Sequence, residues 1–262
     1  MNNPANAPLQ QNGVPAATII IFRKGAPAGP PEILMTIRAK NMTFAGGMAV
    51  FPGGRVDPAD YELGRQLGGD LEPDEAANQI AAVRETLEET GLVIGIAGQV
   101  DGTIARAARA LLLETRALAP VLTEFGWTLD LDQLTPFARW FPKNERLPRV
   151  FDTRFYLADL GTGAVEIAAD LSENTHLFWI TAQDALESDR KGDLKLIFPT
   201  RRNLERLAQF GNFADVKAHA ESIPVQVITP SIVRKGGKRW ISIGEDLGYP
   251  VTEEEFESNK RD

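Results

Sequence analysis

The chain has no cysteine among its 262 residues, which excludes disulfides and zinc or iron–sulfur sites built on thiolates. That usage suits a reducing compartment, and a cytoplasmic location is the expectation. Histidine is almost as scarce. His176 and His219 are the two present, each alone in its stretch, and neither is assigned a role. Basic residues are outnumbered, with 28 Lys and Arg against 36 Asp and Glu and a formal net charge of -8. A general nucleic-acid binder would present a basic face, so nucleic acid is not an expected partner. No apolar run approaches the roughly 18–20 residues needed to cross a bilayer, so a membrane is not expected either. The first fifteen residues are rich in Asn, Pro, Gln and Ala and lack both a basic n-region and an apolar h-region. Residues 1–16 therefore read as a disordered tail and not a signal peptide. The last residues, Asn259-Lys260-Arg261-Asp262, are not Ser-Lys-Leu, so no peroxisomal address is expected.

A hydrophobic fraction of 43% supports a sizeable core. Ala17–Arg23 is short and β-branched and reads as a buried strand, Gly25–Pro31 as a turn, and Glu32–Arg38 as a second strand. Asp57–Gly69 predicts a short helix with a loop, and the helix-start chemistry of Leu71–Glu75 opens a helix over Asp74–Thr90. Val93–Gly98 reads as a strand, Thr103–Leu118 and Pro120–Gly126 as helices, and Trp127–Leu131 and Thr135–Pro142 as a return to strand. Arg149–Ala158 has the alternation of a central strand, with Asp152 and Arg154 on one face in position to pair. Glu166–Ala169 and His176–Ile180 follow as strands, with a helix capped at Thr181 and further helices from Pro199 and over Phe213–Ser222. Val225–Thr229, Ile232–Arg234 and Arg239–Ile243 read as a terminal strand and hairpin, and the acidic end from Thr252 as frayed. No internal repeat is present. The expectation is one α/β domain over 17–245 followed by an acidic tail over 246–262.

The most informative stretch is Ala82–Leu92. Ala82, Val83 and Leu87 recur at helical spacing, and Gly91 is a natural helix stop. Glu85, Glu88 and Glu89 then stand at i, i+3 and i+4, three carboxylates on one face. Glu88 and Glu89 fall in the last turn, where negative charge meets the unfavourable end of the helix macrodipole. Local stability gives no reason for them, and they repel one another unless a cation sits among them. A hard divalent ion such as Mg²⁺ or Mn²⁺ takes oxygen ligands and keeps waters or substrate phosphates in its shell. Read alone, the stretch is equally a solvated acidic helix end.

Arg84-Glu85-Thr86-Leu87-Glu88-Glu89-Thr90-Gly91-Leu92 resembles the second half of the Nudix box, with Thr86 a mild departure at a hydrophobic position. Phe51-Pro52-Gly53-Gly54 resembles the glycine pair that opens the box. Gly54 and Arg84 stand about twice as far apart as in the standard box, so an insertion at about 57–73 is expected to bulge out. The first glutamate of the box falls on Ala76, with Asp74 and Glu75 out of register. Upstream, Leu34-Met35-Thr36-Ile37-Arg38, Gly47 and Phe51-Pro52-Gly53-Gly54 resemble the signature of the coenzyme A diphosphatases of this superfamily. Thr43 replaces the second arginine of that signature, and Lys40 is nearby. Phe151-Asp152-Thr153-Arg154-Phe155 is similar to a strand of the long-insertion coenzyme A diphosphatase branch.

The resemblance implies a Nudix fold, a mixed β-sheet sandwiched between helices, with helical insertions near 57–73 and 103–140, the second a cap over the substrate. It implies Mg²⁺ or Mn²⁺ as cofactor, with Glu85, Glu88, Glu89 and the carbonyl of Gly53 as metal ligands. Glu88, Glu85 and Arg84 are the implied catalytic residues, Arg84 facing away from the metal and holding the helix to the loop by ion pairs. Arg38, Lys40 and Phe51 are the implied substrate-binding residues. An arginine suits a phosphate because its planar fork donates two hydrogen bonds at once, although Arg38 alone also reads as a solvated strand-end cation. Arg106, Arg109 and Arg116 read as a solvated basic stripe, and two of them are spaced to line one face. Asp170 and Glu173 are candidates for a further ligand or base, although acids so placed are more often ordinary loop residues. The implied reaction is metal-dependent hydrolysis of a nucleoside diphosphate linked to another moiety. Coenzyme A or acyl-coenzyme A, cut to 3′,5′-ADP and (acyl-)phosphopantetheine, comes first. ADP-ribose or NADH comes second, slightly favoured by Thr43. A non-catalytic nucleotide-binding module comes third, and the intact acid triad argues against it. The partner is thus a small nucleotide-derived molecule, with a homodimer left open.

Overall fold

Strand β1, Val14–Arg23, sends alternate side chains into two apolar cores. Ala17, Ile19 and Ile21 enter one, and Ile20 and Phe22 enter the other, as period-two geometry requires of a strand covered on both faces. Ile19, Ile20 and Ile21 are fully buried, and each such side chain stabilises the fold by about 1.5–3 kcal/mol. In this computed structural model, which describes residues 13–27, 29–39, 45–142, 150–161 and 174–256, β1 lies within an eight-stranded mixed sheet. It runs parallel to β8 (Phe151–Asp159), which pairs antiparallel with β7 (Thr135–Trp140), and β10 (Val227–Ile228) adds parallel to β7. On its other side β1 pairs with two strands in succession. Its C-terminal end meets β2 (Glu32–Arg38) at Phe22 and Arg23, and its N-terminal end meets β4 (Gly53–Arg55) at Ala16–Thr18. β2 also pairs with β3 (Ala49–Val50) and β9 (Asn174–Thr181). Thus β1 and β2 are bonded at one end only, and residues of both line the cleft described below.

Helices cover both faces. The first core takes α1 (Pro58–Leu67), α2 (Pro73–Thr90), α3 (Gly102–Thr115) and α4 (Leu118–Phe125), through residues such as Leu63, Ile80, Leu112 and Val121. The second takes α5 (Ala182–Lys191), α6 (Phe198–Leu207) and α7 (Phe213–Ser222), through Ala185, Leu204 and Val216. Helix boundaries follow local chemistry. α2 begins with Pro73 and the acids Asp74 and Glu75 and ends at Gly91 in the left-handed region, φ 77°. Thr181 caps α5 by accepting from the Asp184 N–H. Among the described residues no helix is long and apolar enough to cross a membrane.

Several expectations are corrected. β1 begins at Val14, inside the segment read as a tail, because β8 supplies a parallel partner as far back as Val14. The strand expected at Val93–Gly98 shrinks to β5 (Ile96–Ala97), since its only partner in the small second sheet, β6 (Thr128–Leu129), is equally short. The expected cap, α3 and α4, packs beside α2 in the first core. Asp152 and Arg154 do not pair with each other. Asp152 accepts two hydrogen bonds from Arg139, and Arg154 donates to Glu75. The acidic end is not frayed at Glu253–Glu255, which forms β13 against β12 (Lys238–Ser242), itself paired with β11 (Ser231–Lys235). Its charges are spent on ion pairs, with Glu254 bound by Arg201 and Arg202. The strand expected at Glu166–Ala169 lies outside the described residues.

Candidate functional site

A cleft of about 490 Å³ gathers residues from both halves of the sheet. Ala16 and Thr18 of β1, Thr153 and Phe155 of β8, and Trp140 of β7 line it, together with Gly53, Gly54 and the C-terminal part of α2. Of the residues singled out in the sequence, Arg38, Phe51, Gly53, Arg84, Glu85, Glu88 and Glu89 all meet here. Phe51 is also part of the second core, at 3% exposure. Lys40, Thr43, Asp170 and Glu173 lie outside the described residues.

The glycine pair and the acid helix are fitted to each other. Gly53 has φ 152°, and a Cβ there would come within 2.3 Å of the Ala17 carbonyl oxygen. Its N–H donates to Glu89 Oε2 at 2.9 Å, so Gly53 reaches the acids through its N–H, whereas the expected role used its carbonyl. At Gly54 an added Cβ would lie 2.4 Å from the Glu85 carboxyl carbon. The space a side chain would fill is the space the Glu85 carboxylate occupies. Thr86, out of place beside a hydrophobic consensus, is fully buried and satisfies its hydroxyl by donating to the Ala82 carbonyl at 2.6 Å.

Arg84 holds this arrangement. It is 3% exposed and uses every donor in sight. Nε and Nη2 donate to Asp60 at 3.0 and 2.9 Å, and Nη2 also donates to the Arg55 carbonyl at 2.8 Å. Nη1 donates to Glu85 Oε1 at 2.8 Å and to Glu88 Oε2 at 3.4 Å. Arg84 was expected to face away from the metal and to hold the helix to the loop by ion pairs. It does tie the helix to the loop, but the same guanidinium also bridges Glu85 and Glu88. Burial alone pulls its pKa down, and the hydrogen bonds and charges of Asp60 and Glu85 more than offset this. For Glu85 the balance runs the other way. Burial, and then the charges of Glu89 and Glu88, outweigh the opposing pull of Arg84 and push its carboxyl up to about 8.

Two residues escaped the sequence reading. Asp60 is 1% exposed and is the chief counter-charge of Arg84. The signal was Arg84 itself, since an arginine buried on the core side of a helix demands a buried acid. Arg109, read as part of a solvated stripe, donates to the Glu88 carbonyl at 2.9 Å and the Glu89 carbonyl at 3.4 Å. A cation on the last carbonyls of α2 stabilises the end that carries the acids. Arg116, from the same stripe, lines the cleft, while among the described residues Arg106 bonds only to Thr103 in its own helix.

Glu85, Glu88 and Glu89 are the residues that could hold a divalent ion. Among the described residues no three acid or histidine side chains already converge as a metal cage, because Arg84 and the Gly53 N–H engage the carboxylates instead. The donor chemistry nevertheless fits a hard cation. All the candidate ligands are carboxylate oxygens, and Glu85 Oε2 and Glu88 Oε1 take no part in the Arg84 contacts.

A buried-arginine acid helix docked on a glycine turn is the arrangement of the Nudix family, and the chain belongs to it. The NUDIX domain family model matches residues 13–145, and the protein is a Nudix hydrolase. It is similar to the acyl-coenzyme A diphosphatase NUDT19 of Gallus gallus, 24% identical over 276 residues that cover 84% of this chain and 71% of that protein. The putative nudix hydrolase 7 of Caenorhabditis elegans is 29% identical over 197 residues, covering 74% of this chain and 60% of that protein, so this chain spans less than two thirds of that relative. Among solved structures, a NUDIX hydrolase from Alicyclobacillus acidocaldarius superposes with a TM-score of 0.69 at 29% identity, covering 80% of this chain and 97% of that one.

Two outcomes follow from the charges. Asp60→Ala leaves a buried guanidinium without its best partner and is expected to destabilise the protein by about 3–5 kcal/mol in urea unfolding. A loss below about 1 kcal/mol would show that Glu85 and Glu88 suffice for Arg84. The raised Glu85 carboxyl means that, above the ordinary carboxylate range, the folded protein keeps a proton the unfolded chain has released. Stability of the metal-free protein therefore falls as pH rises towards about 8. Glu85→Gln should flatten the decline in melting temperature between about pH 6 and about pH 8, and parallel profiles for the two proteins would refute the assignment.

Proposed function

We propose that this protein hydrolyses a diphosphate linking a nucleoside to another moiety, with Mg²⁺ or Mn²⁺ held by Glu85, Glu88 and Glu89. The observation that carries the reading is the cleft's division of charge. Three arginines, Arg38, Arg55 and Arg116, line it beside the acid triad, and among the described residues none of the three side chains is paired with a carboxylate. A substrate rich in phosphate oxygens matches both halves, the guanidinium groups directly and the acids through a bridging cation. A neutral substrate would match neither.

In the reaction water adds to one phosphorus, the P–O bond of the anhydride breaks, and the departing phosphate carries away the bond electrons. A bound divalent ion supplies neutralisation of the diphosphate oxygens and a lowered pKa for its water. The chain's own residues do the positioning. Arg55 and Arg116 hold the diphosphate, Arg38 holds a phosphate elsewhere on the substrate, Arg84 fixes Glu85 and Glu88 relative to each other, and Glu88 or Glu85 accepts the proton of the attacking water. The chain from Val14 to Glu255 acts as one catalytic domain, the second insertion contributing Arg116 to the cleft and Arg109 to the end of α2.

The preferred substrate is coenzyme A or acyl-coenzyme A, cut to 3′,5′-ADP and (acyl-)phosphopantetheine. The signature around Arg38 and the name of the Gallus gallus relative support it. Thr43, standing where the signature has its second arginine, favours ADP-ribose or NADH as the second reading. The test is hydrolysis of coenzyme A, ADP-ribose and NADH with either metal, products identified by mass. 3′,5′-ADP from coenzyme A is the expected result, and cleavage of ADP-ribose or NADH alone would overturn the coenzyme A reading. Glu88→Gln should lower kcat by roughly 10²–10⁴-fold at an unchanged melting temperature. Near wild-type turnover would remove the acid triad from the chemistry.

A further inference from the structure

The cleft also receives the head of α6, through Ile197, Pro199 and Thr200. The cap position of this ten-residue helix is Ile197, whose side chain accepts nothing. Pro199 has no N–H to offer, so the Phe198 and Thr200 N–H groups are the first-turn donors left without a side-chain cap, at the end of the helix where the macrodipole concentrates about half a positive charge. Two side chains in the same cleft point to what satisfies them. Thr200 is 2% exposed and lines the cleft, and its hydroxyl has no hydrogen-bond partner among the described residues. Arg38 also lines the cleft, and its Nε is buried with no acceptor among the described residues.

Strand β3 joins these groups. The Arg38 N–H donates to the Met48 carbonyl, and Ala49 donates to the Lys195 carbonyl and bridges Leu196, two residues before the helix begins. The first two turns of α6 are themselves basic. Arg201 is neutralised by Asp189 and Glu254, and Arg202 pairs through Nη2 with Glu205 and Glu254 while its Nε and Nη1 stay buried without acceptors among the described residues.

We propose that the head of α6, with the Thr200 hydroxyl and Arg38, is a subsite for a phosphomonoester carried by the substrate, separate from the diphosphate cut at the acid cluster. The inference rests on the diphosphate reading only for what the phosphomonoester is attached to; binding at the subsite is measurable without turnover. The named groups at this subsite are donors, so a phosphate dianion pairs with them, whereas a free ribose hydroxyl leaves Arg38 Nε and the helix head unsatisfied. The favoured class is a nucleoside bisphosphate unit over a nucleoside monophosphate unit. Thr200 and Arg38 are thus specificity-determining residues that set which nucleotide enters.

The test is calorimetric titration of the full chain with adenosine 3′,5′-bisphosphate and with 5′-AMP. The wild type should bind the bisphosphate at least roughly tenfold more tightly, since hydrogen bonds to a charged group are the strong ones. Thr200→Val should remove roughly tenfold of that affinity and leave 5′-AMP unchanged, while Thr200→Ser restores it. Arg38→Gln, on a different element, should act with the same selectivity, which guards against misfolding of one variant. Equal affinity of the wild type for both ligands would overturn the proposal, as would a Thr200→Val that weakens both alike. Turnover separates this from the wider reading. Thr200→Val should raise KM for coenzyme A at constant kcat and leave dephospho-coenzyme A unaffected. Bisphosphate preference without turnover of either would sustain the subsite and sink the coenzyme A reaction. Equal KM for both in the wild type would do the reverse.

Discussion

Glu85 sits where burial and two neighbouring carboxylates all disfavour its charge, and the surroundings are built around tolerating it. Gly54 has no side chain, so the carboxylate has room. Arg84 supplies the opposing charge, but a guanidinium buried to 3% exposure needs its own acid, and that acid comes from α1. The first insertion is therefore part of the site's electrostatics. Remove its Asp60 and Arg84 becomes an uncompensated buried cation, one of the costliest defects a fold can carry. The end of α2 is secured in the same way by Arg109 from the second insertion. Both insertions brace a helix whose acids would otherwise weaken it.

The sheet makes the cleft by incomplete pairing. β1 is bonded to β4 at one end and to β2 at the other, so acids from the helix above one face and side chains from the other face reach a common space. The C-terminal strands matter through α6. Glu254 on β13 takes Arg201 and Arg202 and so fixes the helix whose head enters the cleft. A stretch of acidic residues that looks like a solvated tail is, in the fold, a latch.

Much of this was legible in the sequence because it is local. The box helix, its glycine stop, β2 and α7 follow from periodicity and capping, and the acid triad from its i, i+3, i+4 spacing. The glycine pair was legible as a turn, but not the reason for Gly54, which is a carboxylate thirty-odd residues away. The errors are non-local in the same way. Val14–Ala16 became strand because β8 offered a partner, Val93–Gly98 largely failed to because its partner was short, and Asp152 chose Arg139 across the sheet over Arg154 on its own strand. Asp60 and Arg109 were invisible for this reason. Their roles exist only once α1 and α3 pack on α2, and nothing in a polar loop or an alanine-rich helix announces which charge will be buried.

The account turns on the fit between Gly54 and the Glu85 carboxylate, and Mn²⁺ binding to the wild type and to Gly54→Ala tests it most directly. The added Cβ meets the far end of a flexible side chain, so the fold should hold within about 1 kcal/mol while Glu85 is displaced from its place beside Glu88 and Glu89. The account predicts that Gly54→Ala keeps its melting temperature and loses Mn²⁺ affinity by roughly 10–100-fold. Equal Mn²⁺ affinity in the two proteins would contradict it.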